Sequence, residues 1–136
     1  MRKRTLAREC ALQMLYQMDI TAEAVDSVVN NFWSSQDKPV EDQVKSFADD
    51  LVQGVASHLL VIDTKISEFA TNWKLERMAV VDRNILRLGC YELCCRQDIP
   101  PKVSINEAVE LAKKYSGQEA AKFVNGVLDR IKGERK

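Results

Sequence analysis

The chain has 136 residues and carries 20 basic and 20 acidic side chains, so its formal net charge is zero. This length suits about one domain with a core of its own, and only five glycines and three prolines leave little room for a multi-stranded sheet. No apolar run is long enough to cross a bilayer, and no apolar segment follows the basic start as in a secretory signal. We therefore expect a cytoplasmic protein.

Apolar residues recur at helical spacing through the first half of the chain. The predicted apolar side of the first helix consists of Ala7, Ala11, Met14 and Met18. A second helix lies in "VDSVVNNFW", and a third begins after Pro39, which suits a first helical turn. The apolar stripe of this third helix runs on to Trp73. Since a single helix of that length is unusual, we expect a break near residues 57–61.

The second half of the chain predicts three more helices. The first covers about residues 79–95 and ends at "RQDIPPK", where two prolines block continuation. Ser104 and Glu107 then form a capping-box pattern, which Val103 and Ala108 accompany as a hydrophobic staple. That helix ends at residue 115 or 116, where Gly117 supplies a left-handed stop, and a last helix spans about residues 118–131. The whole pattern predicts an all-α fold of about seven helices.

The last helix contains two unusual residues. Asn125-Gly126 alone would signal a hairpin, but it stands within a helical stripe formed by Ala120, Val124, Val127, Leu128 and Ile131. Gly126 costs about 1 kcal/mol relative to alanine there, which favours close approach by a neighbouring helix or by a ligand backbone. Phe123 lies about 90° from the stripe. It is either a margin of the core or an aromatic platform of the kind that single-stranded nucleic acid stacks on.

Charge is unevenly distributed along the chain. Residues 1–18 hold four bases against one acid, residues 19–68 hold ten acids against three bases, and residues 69–136 hold thirteen bases against nine acids. If the two basic ends meet in the fold, they form a positive face suited to phosphate. The alternative is chance patterning of solvated charge.

The sequence gives little support for disulfides, a metal site or catalysis. The four cysteines lack disulfide or C-x-x-C spacing, and the one histidine, His58, has no nucleophile with a local signature nearby in sequence. Cys90 and Cys94 share a helical face, but reduced, partly buried thiols are the favoured interpretation over a metal site. Phosphate-loop, dinucleotide and hydrolase motifs are missing from the sequence. The sequence predicts neither an enzyme nor a cofactor.

Four stretches together resemble the NusB family of bacterial transcription antitermination factors: "ARECALQMLYQMDI", "ERMAVVDRNILRLGCYEL", "IPPKVSINEAVELAKKY" and "KFVNGVLDRI". The resemblance covers nearly the whole chain. It implies a single RNA-binding domain over residues 1–136, built from two packed antiparallel helical bundles without catalytic activity, with residues 1–4 as a flexible basic arm. It also implies binding of single-stranded boxA RNA together with NusE, a small ribosomal subunit protein. This pair joins RNA polymerase and other Nus factors, and the polymerase then passes terminators in ribosomal RNA operons.

The resemblance also implies site residues. Those assigned to RNA are Arg2, Lys3, Arg4, Arg8, Lys113, Lys114, Gly117, Gln118, Glu119, Lys122 and Phe123. Tyr16 and Asp82 match positions on the side that meets NusE. Thr5-Leu6 stands where some relatives carry more arginines, so phosphate contact is either weaker here or shared with Lys113 and Lys114. We hypothesise that a flipped-out base stacks on Phe123 while Lys122 and the N-terminal arm hold phosphates.

Two other functions stay open. A NusB-like fold also forms the N-terminal domain of some ribosomal RNA cytosine methyltransferases, although this chain has no cofactor-binding half. The protein could also be a plain interaction bundle with an incidental basic face. The free state is either a monomer or a homodimer, since an apolar surface meant for NusE could self-associate.

Overall fold

A computed structural model describes residues 2–134, which contain seven α-helices, one 3₁₀ turn and no strand. The prediction of an all-α fold with about seven helices is confirmed. The chain forms two compact units that divide between Ser57 and His58, here called the N-terminal and C-terminal units. None of the described helices is both long and apolar enough to span a membrane.

The N-terminal unit contains α1 (Lys3–Thr21), α2 (Val25–Ser34) and α3 (Asp42–Ser57). Each helix packs against the other two. The core side chains that they share include Ala7, Ala11, Met14, Val28, Phe32, Ala48 and Leu51. Residues 2–4 were expected to precede the first helix, but α1 already begins at Lys3. Lys3 and Arg4 therefore belong to its first turn, and Arg2 is its extended N-cap.

The C-terminal unit contains α4 (Leu59–Phe69), a 3₁₀ turn (Leu75–Arg77), α5 (Val80–Cys95), α6 (Pro101–Tyr115) and α7 (Gln118–Lys132). The break between α3 and α4 at His58 lies within the predicted window. Helices α5, α6 and α7 pack against one another, and α4 packs on α5 and α7. The buried stripe of α7 is confirmed at Val124, Val127, Leu128 and Ile131, whereas Ala120 is only half-buried.

The start of α6 differs from the prediction. Pro101 occupies the first turn and Pro100 the N-cap position, so Ser104 lies inside the helix rather than at its cap. Ser104 is buried, and its hydroxyl donates a hydrogen bond of 2.8 Å to Oε1 of the buried Glu92. Val103 is 43% exposed and cannot act as a staple. The capping-box prediction was wrong because a proline with preset φ begins the helix at residue 101, four residues earlier than a cap at Ser104 would, while Ser104 bonds to α5.

The turn between α6 and α7 depends on Gly117. Its φ is +121°, a region that side chains rarely adopt. The backbone N–H groups of Ser116 and Gly117 both donate to the carbonyl of Ala112 at 2.8 Å, which closes the end of α6. The predicted stop at Gly117 is confirmed, and the same residue is the N-cap of α7.

Close helix packing occurs at Gly89 and not at Gly126. A Cβ added to Gly89 would lie 2.6 Å from Cδ1 of Leu128, so α5 and α7 approach closely at this point. A Cβ added to Gly126 would meet no atom within 4 Å. The expected neighbouring helix at Gly126 was therefore wrong, and the alternative, approach by a ligand backbone, stays a prediction.

Candidate nucleic-acid interface

The turn at Gly117 brings most of the predicted RNA-binding residues of the C-terminal unit onto adjoining helix ends. Lys113 and Lys114 lie in the last turn of α6, and Gln118 and Glu119 lie in the first turn of α7. Lys122 and Phe123 follow one turn later. We call residues 113–123 the α6–α7 junction. Its charges suit the helix dipoles, since cations are favourable at a C-terminus and a carboxylate at an N-terminus.

The cations of the α6–α7 junction are accessible. Lys113 is paired with Glu110 at 3.4 Å, but both side chains are exposed, so this pair contributes little. The Lys114 ammonium lies 5.4 Å from the centroid of the Tyr115 ring. Lys122 is exposed and makes no ion pair within residues 2–134. The lysines of the α6–α7 junction can therefore give up these weak contacts and bind phosphate with little loss of free energy.

Phe123 lies at the margin of the core and contacts a second aromatic residue. Its side chain is half-buried, and its ring centroid lies 6.0 Å from that of Trp73 at an interplanar angle of 66°. This is the edge-to-face geometry that aromatic pairs prefer. Trp73 is 57% exposed. The prediction that the apolar stripe continues to Trp73 was wrong, because α4 ends at Phe69 and Trp73 lies in the loop that follows.

A groove of about 470 Å³ separates this aromatic pair from the start of α5. Its lining includes Trp73, Arg77, Met78, Asp82, Glu119 and Phe123. Sequence reasoning missed Trp73 and Arg77. Two signals could have found them. The polar run Thr71-Asn72 indicates that the helix ends before Trp73, and Lys74 and Arg77 place basic side chains next to this aromatic residue along the chain.

Asp82 lies in the first turn of α5 and is half-buried. Its Oδ1 is shielded from solvent and has no hydrogen-bond partner among the described residues. An unsatisfied buried oxygen is costly, although the negative charge is favourable at a helix N-terminus. Asp82 therefore lies in the wall of the groove, and no contact within the described residues accounts for its buried oxygen.

The basic residues of α1 differ in accessibility. Arg2, Lys3 and Arg4 are exposed, and Lys3 pairs with Glu41 at 2.9 Å. The guanidinium groups of Arg4 and Arg8 lie 4.5 and 5.3 Å from the centroid of the Phe47 ring. Arg8 is only 3% exposed. Arg8, which the resemblance assigns to RNA, is therefore not an accessible cation in this structure, because it packs inward over a phenylalanine of α3.

Tyr16 is 42% exposed on α1. It belongs to the N-terminal unit, whereas Asp82 belongs to the C-terminal unit. That the chain's two basic ends meet on one face stays a prediction.

The thiols offer no metal centre in the part of the chain that the structure describes. Cys90 is buried and Cys94 is exposed on the same face of α5. A hydrogen bond with Cys94, together with burial, raises the pKa of the Cys90 thiol well above its usual range, so this thiol stays protonated. Over residues 2–134, no cluster of three or more His, Cys, Asp or Glu side chains could hold a metal ion.

Comparison with known proteins gives consistent matches over nearly the full length. The sequence model of the NusB family matches residues 5–132. Transcription antitermination protein NusB of Anaeromyxobacter sp. (strain Fw109-5) is 54% identical over 129 residues, which cover 95% of this chain and 89% of the relative. The protein of the same name from Myxococcus xanthus (strain DK1622) is 48% identical over 131 residues, with coverage of 94% and 93%.

Solved structures agree with the sequence matches. T. maritima NusB superimposes with a TM-score of 0.87 at 35% identity and covers 99% of this chain and 93% of its own. A crystal structure of antitermination factors NusB and NusE in complex with dsRNA contains a chain with a TM-score of 0.87 at 32% identity, with coverage of 98% for both chains.

Proposed function

The chain belongs to the NusB family, and we propose that this transcription antitermination factor binds boxA RNA as an unpaired strand together with NusE. In this proposal the complex, with other Nus factors, lets RNA polymerase read through terminators in ribosomal RNA operons. The protein is not an enzyme and acts by binding alone, in the cytoplasm. The observation that carries the RNA part is the α6–α7 junction, where accessible lysines stand beside a half-buried phenylalanine.

The chemistry of the junction suits an unpaired strand. Bases of single-stranded RNA expose their faces and edges, whereas the deep groove of an A-form duplex hides them. Phe123 offers a face for stacking, and Gln118 offers an amide for a base edge. Lys113, Lys114 and Lys122 neutralise phosphates, which makes affinity fall as salt rises.

The junction also allows close approach of the RNA backbone, because Gly117 has no side chain to block it. The open space at Gly126, one turn beyond Phe123 on the same flank of α7, offers a second such point. We assign Arg2, Lys3 and Arg4 to further phosphates of the same RNA. Arg8 can join them only if its guanidinium leaves the Phe47 ring.

Replacing Phe123 by leucine is expected to weaken boxA binding by about 5- to 150-fold, the equivalent of 1–3 kcal/mol for one stacked base. Leucine keeps an apolar side chain at the core margin, so the fold is retained while the π-face is lost. The measurement is a titration of fluorescently labelled boxA RNA, with and without NusE, at two salt concentrations. Phe123→Tyr, which retains the ring, is the matched control.

Two further arms test the nature of the RNA. A scrambled single strand separates sequence preference from general attraction to phosphate. A duplex of the same sequence separates unpaired from paired RNA, and this arm matters because the related crystal structure holds dsRNA. Unchanged affinity in a folded Phe123→Leu variant, or equal affinity for duplex and single strand, would contradict the stacking proposal.

We assign Tyr16 and Asp82 to NusE. An exposed tyrosine is a common anchor of protein interfaces, and Asp82 has an oxygen whose hydrogen bonding is unsatisfied in the described structure. Asp82→Asn keeps the size of the side chain and removes its charge. It is expected to weaken NusE binding by about tenfold, as befits loss of a charge-assisted contact, while RNA affinity changes less than about twofold.

Isothermal titration with NusE alone and with RNA alone measures the two effects separately. Glu119→Gln is the matched control for the NusE titration only, because Glu119 is itself assigned to RNA; it also lines the groove and lies in the first turn of a helix. An equal loss of NusE and RNA affinity in Asp82→Asn, or no loss of either, would count against the assignment of Asp82.

A further inference from the structure

Trp73 is the more accessible ring of the pair in the groove. It is 57% exposed, whereas Phe123 is half-buried. The two rings meet edge to face with centroids 6.0 Å apart, so no base fits between them. A ligand must stack on an outer face of the pair, and the indole presents the larger one.

We propose that Trp73, rather than Phe123, is the main stacking platform for an unpaired base in the C-terminal unit. Phe123 supports the indole through its edge contact, and Lys74 and Arg77 neutralise the phosphates on either side of the base. This inference rests on the proposed RNA-binding function, adds residues to its site, and changes the role of Phe123 from the main platform to a support of it.

The charges around the groove favour a base over a phosphate inside it. Asp82 and Glu119 line the groove together with the rings, and carboxylates repel a phosphate. Lys74 and Arg77 lie in the same short segment as Trp73, and both are exposed without an ion pair in residues 2–134. A base inside the groove, with its phosphates at the exposed cations, keeps phosphate away from the two carboxylates. Stacking rings beside cations are also how single-strand binding proteins track a backbone.

The segment that carries Trp73 is held in place before any ligand arrives. The Arg130 guanidinium donates a hydrogen bond of 2.9 Å to the carbonyl of Phe69, which ties the end of α4 to α7. The backbone N–H of Trp73 donates to the carbonyl of Ala70 at 3.1 Å. A platform fixed in this way loses little conformational entropy on binding, which strengthens binding.

The test uses Trp73 as its own reporter. The chain has two tryptophans, so Trp33→Phe leaves Trp73 as the only one. Trp33 lies on α2 in the N-terminal unit, where its indole N–H donates to Asp49. In this background, single-stranded boxA RNA is expected to quench tryptophan fluorescence in a saturable way. In the wild-type background, Trp73→Leu is expected to weaken RNA binding by a larger factor than Phe123→Leu does, within the range of about 5- to 150-fold for one stacked base. Trp73→Phe is expected to restore part of the affinity.

The outcomes separate this inference from the function on which it rests. If Trp73→Leu binds RNA as the unaltered chain does and no quenching occurs, Trp73 is not the platform, although the RNA-binding function stands. If NusE alone quenches Trp73, and Trp73→Leu weakens NusE binding but not RNA binding, the groove is a protein-docking site and the inference is overturned. If the unaltered chain binds neither boxA RNA nor its scrambled control, the proposed function and the inference both fail.

Discussion

Replacing Gly89 by valine is expected to lower the free energy of unfolding by about 2–3 kcal/mol, the upper range for overpacking a core. A Cβ at this position would lie 2.6 Å from Cδ1 of Leu128, which is fully buried. The Leu128 side chain would have to move within a closely packed interior, or α5 and α7 would have to separate. Urea denaturation followed by far-UV circular dichroism measures the change.

The same substitution at Gly126 is the matched control, because no atom lies within 4 Å of the position that its Cβ would take. Valine and glycine differ only by a few tenths of a kcal/mol in helix propensity, so Gly126→Val is expected to change stability by less than about 0.5 kcal/mol. Equal destabilisation by the two variants would show that a general intolerance of side chains in these helices, and not the Leu128 contact, causes the loss. The contact matters for function because α5 carries Asp82 and α7 carries Phe123, which line the same groove.

Local signals in the sequence were sufficient to predict the helices. The break at His58 followed from the length of the apolar stripe, and the end of α6 followed from a glycine in a conformation that other residues avoid. The charged and aromatic residues of the α6–α7 junction were also recognisable, since they follow one another closely along the chain and a tight turn brings them together.

Features that depend on distant partners could not be predicted. Ser104 matched a capping box, but its hydroxyl bonds to Glu92 on another helix. Arg8 was assigned to RNA, but its guanidinium packs inward against the ring of Phe47 on α3. Trp73 fitted an apolar stripe, but the helix ended four residues before it. In each case the periodic pattern of the sequence located the residue along the chain. The environment of its side chain depends on contacts with distant residues, which that pattern does not reveal.

Breaking the ion pair between Asp63 and Arg87 is expected to have the second large effect on stability. Nε and Nη2 of Arg87 donate to the two oxygens of Asp63 at 2.8 and 2.9 Å. The Arg87 side chain is only 11% exposed, and that of Asp63 is 23% exposed. Removing one partner of a buried pair leaves the other charge poorly solvated, at a cost of about 3–5 kcal/mol when burial is complete. Because this pair is partly exposed, Asp63→Ala is expected to lower the free energy of unfolding by about 2–3 kcal/mol.

Asp98→Ala is the matched control for this substitution. Arg96 and Asp98 form the same two-point contact at 2.8 and 2.9 Å, but Asp98 is 56% exposed. Its removal is expected to cost less than about 1 kcal/mol, since a pair whose carboxylate is mostly in water contributes little, although Arg96 itself is only 20% exposed. Comparable losses at the two sites would mean that the two-point geometry, and not burial, determines the energy.

A second substitution identifies the origin of the loss at Asp63. If the cost of Asp63→Ala comes from the uncompensated charge of Arg87, adding Arg87→Met is expected to restore part of the stability, because an apolar pair tolerates burial. No recovery would mean that the packing of Asp63 itself supplies the energy. The pair joins α4 to α5, and α4 leads into the loop that carries Trp73. Asp63→Ala is therefore also expected to weaken the proposed binding of boxA RNA near the melting temperature of the variant, while affinity well below that temperature is retained.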